Sequence, residues 1–148
     1  MTVTLMPIDE RVAVAGQLQP EDMHEIAQAG YVAVVNNRPD REAMFGQPRT
    51  AELQQAAEAA GLVFLDLPFS GPRASPDQVR AFADLLTNRP GRVVAYCKSG
   101  LRSALLWGAM AVAQGHPLAD VLAAAGRAGQ DLEPVGDAIA ALGEAARR

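Results

Sequence analysis

A single cysteine, Cys97, stands among 148 residues, so no internal disulfide can form, and the thiol is either a small buried hydrophobe or a reactive group. Histidine is almost as scarce: His24 and His116 are far apart in the chain. A zinc site would have to lean on carboxylates, and no metal or other cofactor is expected. No apolar run approaches the roughly 20 residues a membrane helix needs. The start, Thr2-Val3-Thr4-Leu5, lacks the basic region and apolar core of a secretory signal, so a cytoplasmic location is expected. Basic excess is also missing: the formal net charge is -4, which argues against a general nucleic-acid or anionic-membrane surface while leaving room for a local basic pocket.

What is present is a globular composition, with 49% hydrophobic and 20% charged residues. Residues 1–148 are expected to form one domain with a sizeable core. Val3–Leu5 and Val12–Ala15 read as strands of a hairpin around Pro7-Ile8-Asp9-Glu10. A helix from Pro20 turns Met23, Ile26 and Ala27 inward and ends at Gly30, leaving His24 on the surface. Tyr31–Val35 is short and almost wholly apolar, as a parallel strand buried on both faces must be. Asn36-Asn37-Arg38-Pro39-Asp40 follows at the strand end where ligands bind in open α/β sheets, in a loop that runs on to Pro48.

Thr50–Ala60 is composed of strong helix formers and stopped by Gly61. Leu62–Leu67 is the next strand, closed by Pro68, and 70–76 is a loop. Ser75-Pro76 opens a helix that carries Val79, Phe82, Ala83, Leu85 and Leu86 inward. Arg92–Tyr96 is a further strand, and the helix from about Arg102 is apolar nearly all round. After Gly115-His116-Pro117, helices are predicted over Leu118–Ala125 and Pro134–Arg147. This βα alternation implies an α/β fold in three layers, a mainly parallel central sheet with helices on both faces.

Cys97-Lys98-Ser99-Gly100-Leu101-Arg102-Ser103 lies between a buried strand and that apolar helix. Backbone N–H groups curling toward the sulfur, the positive end of the helix dipole, Arg102 in reach and Lys98 nearby all favour a thiolate. Gly100 permits a backbone geometry that a Cβ hinders, and Arg102 offers a planar fork of donors to an oxyanion. Ser103 is placed to hydrogen-bond the thiolate or the loop. Cys97 and Arg102 are therefore the candidate catalytic residues. Lys98, Ser99, Gly100, Leu101 and Ser103 are candidate anion-binding residues, with Arg38, Asp40 and Arg73 on neighbouring loops as further candidate substrate-binding residues.

Four residues separate Cys97 from Arg102. In that count the loop resembles rhodanese sulfurtransferases, whose cysteine carries a persulfide; tyrosine and dual-specificity phosphatases place five there. The remainder looks less like a rhodanese. No Asp-x-Arg followed by a Gly-His-Ile-Pro-Gly-Ala type of segment is present, and Gly115-His116-Pro117-Leu118-Ala119-Asp120-Val121-Leu122 resembles the phosphatase order. From Asp9-Glu10-Arg11-Val12-Ala13-Val14-Ala15-Gly16-Gln17 through Asn36–Asp40 and Gly46-Gln47-Pro48 to Cys97–Ser103, the chain is similar to the bacterial beta-lactamase hydrolase-like family. The resemblance implies a tyrosine/dual-specificity phosphatase-like fold and a sulfur-transfer role. It also implies a persulfide dioxygenase as a partner, since some members are fused to one.

Phosphatase chemistry needs an acid for the leaving oxygen. Phosphatases of this topology carry it as Asp on the loop after the strand that corresponds to Leu62–Leu67. Here that loop is Pro68-Phe69-Ser70-Gly71-Pro72-Arg73, with no Asp. Asp66 inside the strand and Asp40 on the other loop are the remaining acids. Sulfur transfer needs no acid: Cys97 takes the outer sulfur of thiosulfate or a small persulfide and passes it to a thiol acceptor. The expectation is accordingly a persulfide-forming sulfurtransferase. A phosphatase acting through a cysteinyl-phosphate and a non-catalytic anion- or persulfide-binding module of a dioxygenase are the alternatives.

Overall fold

The structure, a computed structural model, describes residues 2–147. In chain order the elements are β1 (Met6–Pro7), β2 (Val12–Ala15), α1 (Asp22–Gln28), β3 (Tyr31–Asn36), α2 (Thr50–Ala59), β4 (Val63–Asp66), α3 (Pro76–Asn88), β5 (Arg92–Tyr96), α4 (Leu101–Ala113), α5 (Leu118–Arg127) and α6 (Gly136–Ala146), with a 3-10 turn over Glu133–Val135. The five strands lie in the order β1-β2-β5-β3-β4. Only β1 is antiparallel, against β2; β2, β5, β3 and β4 run parallel. This is an α/β fold around a mostly parallel sheet.

The apolar strands supply both faces of the sheet in alternation. Val12, Val14, Ala33, Val35, Val93 and Ala95 join a cluster with Val79 and Phe82 of α3, Leu106 of α4, Val121 of α5 and Ile139 of α6. Ala13, Ala15, Tyr31, Val34, Val94 and Tyr96 join a second cluster with Met23 and Ile26 of α1 and Leu53 and Ala57 of α2. The predicted all-round burial of α4 holds, since every residue from Ser103 to Ala111 is buried. Ser75 caps α3 by accepting from the Gln78 N–H, and Gln78 returns a bond to the Ser75 backbone, a reciprocal capping box.

The opening hairpin corrects the sequence expectation. Val3–Leu5 is not its first strand; Met6 pairs with Val14 and Pro7 with Ala13. Thr2 Oγ1 and the Val3 N–H instead donate to the Glu25 carboxylate of α1, at 2.7 and 3.0 Å. The turn is pinned by Asp9, whose Oδ1 accepts from the Arg11 and Val12 N–H groups and whose Oδ2 accepts from the Trp107 indole at 2.8 Å.

Register fixes what meets at the C-terminal edge of the sheet. Ala15 and Asn36 both lie opposite Tyr96, and Asp66 lies opposite Asn36. Gly16, Asn37, Leu67 and Cys97 therefore leave the sheet side by side. Because β5 returns between β2 and β3, Cys97 emerges where the order of connection reverses, the place an open α/β sheet forms its ligand crevice.

The helical side depends on close approach of α4 and α6. A Cβ at Gly143 would lie 2.6 Å from Val112 Cγ1 and 2.8 Å from the Ala109 carbonyl oxygen, so the helices must separate to admit it. Gly143→Ala should lower stability by about 1–3 kcal/mol, despite alanine's better helix propensity. A thermal melt should show a fall of several degrees; an unchanged or raised Tm would refute that close packing.

Candidate active site

The loop from Cys97 to Arg102 is shaped by bonds to its outward-facing carbonyls. The Gln17 N–H donates to the Lys98 carbonyl at 3.3 Å, and Gln130 Nε2 donates to the Ser99 carbonyl at 3.2 Å. In a trans peptide the carbonyl and the following N–H point opposite ways, so these bonds turn the Ser99 and Gly100 N–H groups inward. The Gly100 N–H donates directly to Cys97 Sγ at 3.1 Å. Gly100 has φ 98°, and a Cβ there would sit 2.7 Å from Gln130 Nε2, so both its conformation and its neighbour require glycine. Cys97 is buried, with Lys98 and Ser99 exposed at the rim. Helix α4 starts at Leu101, one residue before the predicted start, and its amino end carries the cradle.

Arg102 is held by a residue that motif reading does not identify. Its Nη1 donates to Glu42 Oε2 at 2.7 Å and its Nη2 to Oε1 at 2.9 Å, with a third bond from Nη1 to the Phe69 carbonyl at 3.2 Å. This bidentate pair fixes the guanidinium plane and occupies its terminal edge. Glu42 Oε1 also accepts from Arg38 Nε at 3.0 Å, and Arg38 Nη1 donates to Gln17 Oε1 at 2.9 Å. Arg38 is only 5% exposed, so it is a buried strut behind Glu42 and not a surface cation. The bond from Arg102, with Arg38 assisting, holds the Glu42 carboxyl below its ordinary 4.5. Arg102 is in turn raised, first by its bond to Glu42.

The loop supplying Glu42 is tied down by Gln47. Its Oε1 accepts from the Glu42 and Ala43 N–H groups at 3.0 Å, and its Nε2 donates to the Pro39 carbonyl at 2.7 Å. Met44 and Phe45 project from the tip, almost fully exposed.

Other predicted residues fall differently. Ser103 is fully buried and donates to Asn37 Oδ1 at 2.8 Å, bracing the loop against the end of β3 instead of bonding the sulfur. Asp40 Oδ1 accepts from the Thr50 N–H and hydroxyl, both at 2.8 Å. It caps α2, which corrects its assignment to the substrate. Asp66 is exposed and accepts from Asn36 Nδ2 at 2.9 Å. Arg73 is exposed, and its side chain makes no hydrogen bond or ion pair among the described residues. Beneath the crevice, the Tyr96 hydroxyl is buried without a partner among the described residues, and burial pushes its phenol up. Among the described residues no cluster of His, Cys, Asp and Glu is arranged to hold a metal, and no helix is long and apolar enough to cross a membrane.

Residues 4–115 match the phosphatase-like domain of the beta-lactamase hydrolase-like proteins. The chain belongs to this family. An Agrobacterium fabrum beta-lactamase hydrolase-like protein is 36% identical over 100 residues, 68% of this chain and 23% of its own length. The chain spans about a quarter of the curated relatives it matches, 23% and 28% in two cases. A solved Neisseria meningitidis protein, described as a candidate phosphatase, is 33% identical with a TM-score of 0.81, covering 93% of this chain and 96% of that one. Tk-PTP, solved in its active form, shares the fold at 22% identity and a TM-score of 0.74, covering 100% and 99% of the two chains. The family and the Neisseria structure fit the phosphatase alternative, and none of the matches supports sulfur transfer.

The Glu42 pair generates a pH prediction. A carboxyl whose pKa is lowered by folding contributes stability that is present above its unfolded value and lost as pH falls through the folded one. The gap in Tm between the wild type and Glu42→Gln should therefore persist as pH drops to 4.5 and close only below it. A gap already closed at that pH would contradict the bidentate pair.

Proposed function

We propose that this domain is a cysteine-dependent phosphatase with Cys97 as nucleophile and Arg102 as the residue that grips the phosphoryl group. One observation carries the reading: the Gly100 N–H of the loop donates to Cys97 Sγ while Glu42 holds Arg102 at the same loop. With its terminal edge taken by Glu42, Arg102 keeps the Nε side for substrate oxygens. The three-layer phosphatase-like scaffold, and a cytoplasm that keeps a lone thiol reduced, suit this chemistry.

The Cys97 thiolate attacks phosphorus; an S–P bond forms as the P–O bond to the leaving group breaks and its electron pair stays on the departing oxygen. Loop N–H groups and Arg102 stabilise the charge spread over the equatorial oxygens. Water then attacks phosphorus, the S–P bond breaks, the pair returns to sulfur, and inorganic phosphate leaves with the proton passing to solvent. No carboxyl stands on the 68–73 loop, Asp40 caps α2, Asp66 accepts from Asn36, and Glu42 is held ionised by its arginines. The departing oxygen is left without an acid, so the reaction favours leaving groups that are stable as anions.

A second reading is sulfur transfer, favoured by the four-residue spacing of Cys97 and Arg102 and by the missing acid. The thiolate would attack the outer sulfur of thiosulfate, releasing sulfite, and a thiol acceptor would then remove that sulfur. A persulfide dioxygenase would be a fitting partner for such a carrier.

With p-nitrophenyl phosphate, kcat/KM should fall on the order of a thousandfold or more in Cys97→Ser. In Arg102→Lys it should fall about a hundredfold, because lysine cannot keep both the Glu42 fork and the phosphoryl contact. Wild-type protein inert toward aryl phosphates but turning over thiosulfate in a Cys97-dependent way would replace the first reading with the second.

A further inference from the structure

Among the described residues the exposed large hydrophobic side chains are Met44, Phe45 and Leu101. Met44 and Phe45 are on the Glu42 loop and Leu101 precedes Arg102, so all three border one ion pair. Met44 is 89% and Phe45 86% exposed. They form a knob whose base Gln47 holds through the Glu42 and Ala43 N–H groups and the Pro39 carbonyl. Arg102 also stands in the wall of a recess of about 290 Å³, whose apolar lining is Pro72, Leu101, Leu105 and Val135. Neither knob residue lines it. A lone exposed apolar residue needs no explanation, but a protruding knob and an apolar recess on one face do. A cavity of about 150 Å³ suffices to hold benzene, so the recess has room for the Phe45 ring. Charge is complementary as well. Exposed Arg41 adjoins the knob, and exposed Asp131 and Glu133 stand on the turn that brings Val135 to the recess.

We infer that this face binds a second copy of the chain, the Met44–Phe45 knob of each protomer entering the recess of the other. Both halves of the contact are present on one chain, which is what a self-complementary two-fold interface requires. A two-fold axis lying in the plane of contact, midway between knob and recess, exchanges the two, so both knobs seat at once. Arg41 of each protomer then faces the acidic 131–133 turn of the other. The pairing lays the two crevices against each other and shields Cys97, whichever group that thiol transfers. Two small contacts make a weak, reversible interface, so dilution opens the site and concentration closes it.

Sedimentation equilibrium at loading concentrations from about 5 to 500 µM tests this by mass action. The wild type should pass from monomer to dimer. Phe45→Ser and Leu101→Ser should each weaken the dimer at least about tenfold, since each removes a buried apolar contact on both sides of the axis. Phe45→Ser keeps the recess and Leu101→Ser keeps the knob. An equimolar mixture of the two therefore retains one intact contact and should associate more tightly than either variant alone. Alkylation of Cys97 by iodoacetamide should slow as the wild type is concentrated and keep a constant rate in Phe45→Ser. A monomer throughout, a dimer unmoved by both substitutions, a mixture no tighter than its components, or alkylation indifferent to wild-type concentration would overturn the inference. None of these measurements uses turnover, so failure of the phosphatase reading would leave their outcome unchanged.

Discussion

The site depends on turning two peptide groups around. If the carbonyls of Lys98 and Ser99 faced inward, the loop would present oxygen atoms to an incoming anion and repel it. The Gln17 N–H and the Gln130 side chain hold them outward, so the following N–H groups turn inward and that of Gly100 reaches the sulfur. Gly100 is the hinge that permits this, and the register of β2 against β5 brings Gln17 to its post. Much of the fold serves that arrangement, from the buried parallel strands that fix the register to the apolar α4 that anchors the loop's far end.

A second constraint is charge. Arg102, Arg38 and Lys98 would make a strongly positive crevice, and Glu42 compensates two of these cations at once. Its carboxylate sits where it orients Arg102 without covering Cys97, at the cost of some attraction for anions. The same commitment removes it as an acid. On the proposed phosphatase reading, positioning of the phosphoryl grip and protonation of the leaving group are separated, and only the first has a dedicated carboxylate.

Most of the scaffold was readable from periodicity because apolar strands between amphipathic helices have few other solutions, and Cys97 with Arg102 stood out because one short loop contains them both. Glu42 did not stand out. It pairs with Arg102 across 60 positions, and along the chain it looks like any loop glutamate. The signal that was present is Arg38 and Glu42 at i,i+4 in a loop too long for a simple connection. Gln130 was hidden for the same reason, since its bond to Ser99 spans 31 positions. Asp40 was misread because a capping carboxylate and a substrate-facing one look alike until the helix it caps is located. The hairpin was misplaced because Val3–Leu5 has strand-like composition, while the strand itself is only Met6–Pro7, a pair with little strand propensity.

The central claim is that this loop transfers a phosphoryl group and not a sulfur atom. It is tested most directly by intact-mass measurement of the protein mixed for milliseconds with equal concentrations of p-nitrophenyl phosphate and thiosulfate, then quenched in acid. The account predicts one phosphoryl adduct, located on Cys97 and absent from Cys97→Ser. A single added sulfur on Cys97, with no phosphoryl adduct, would contradict it.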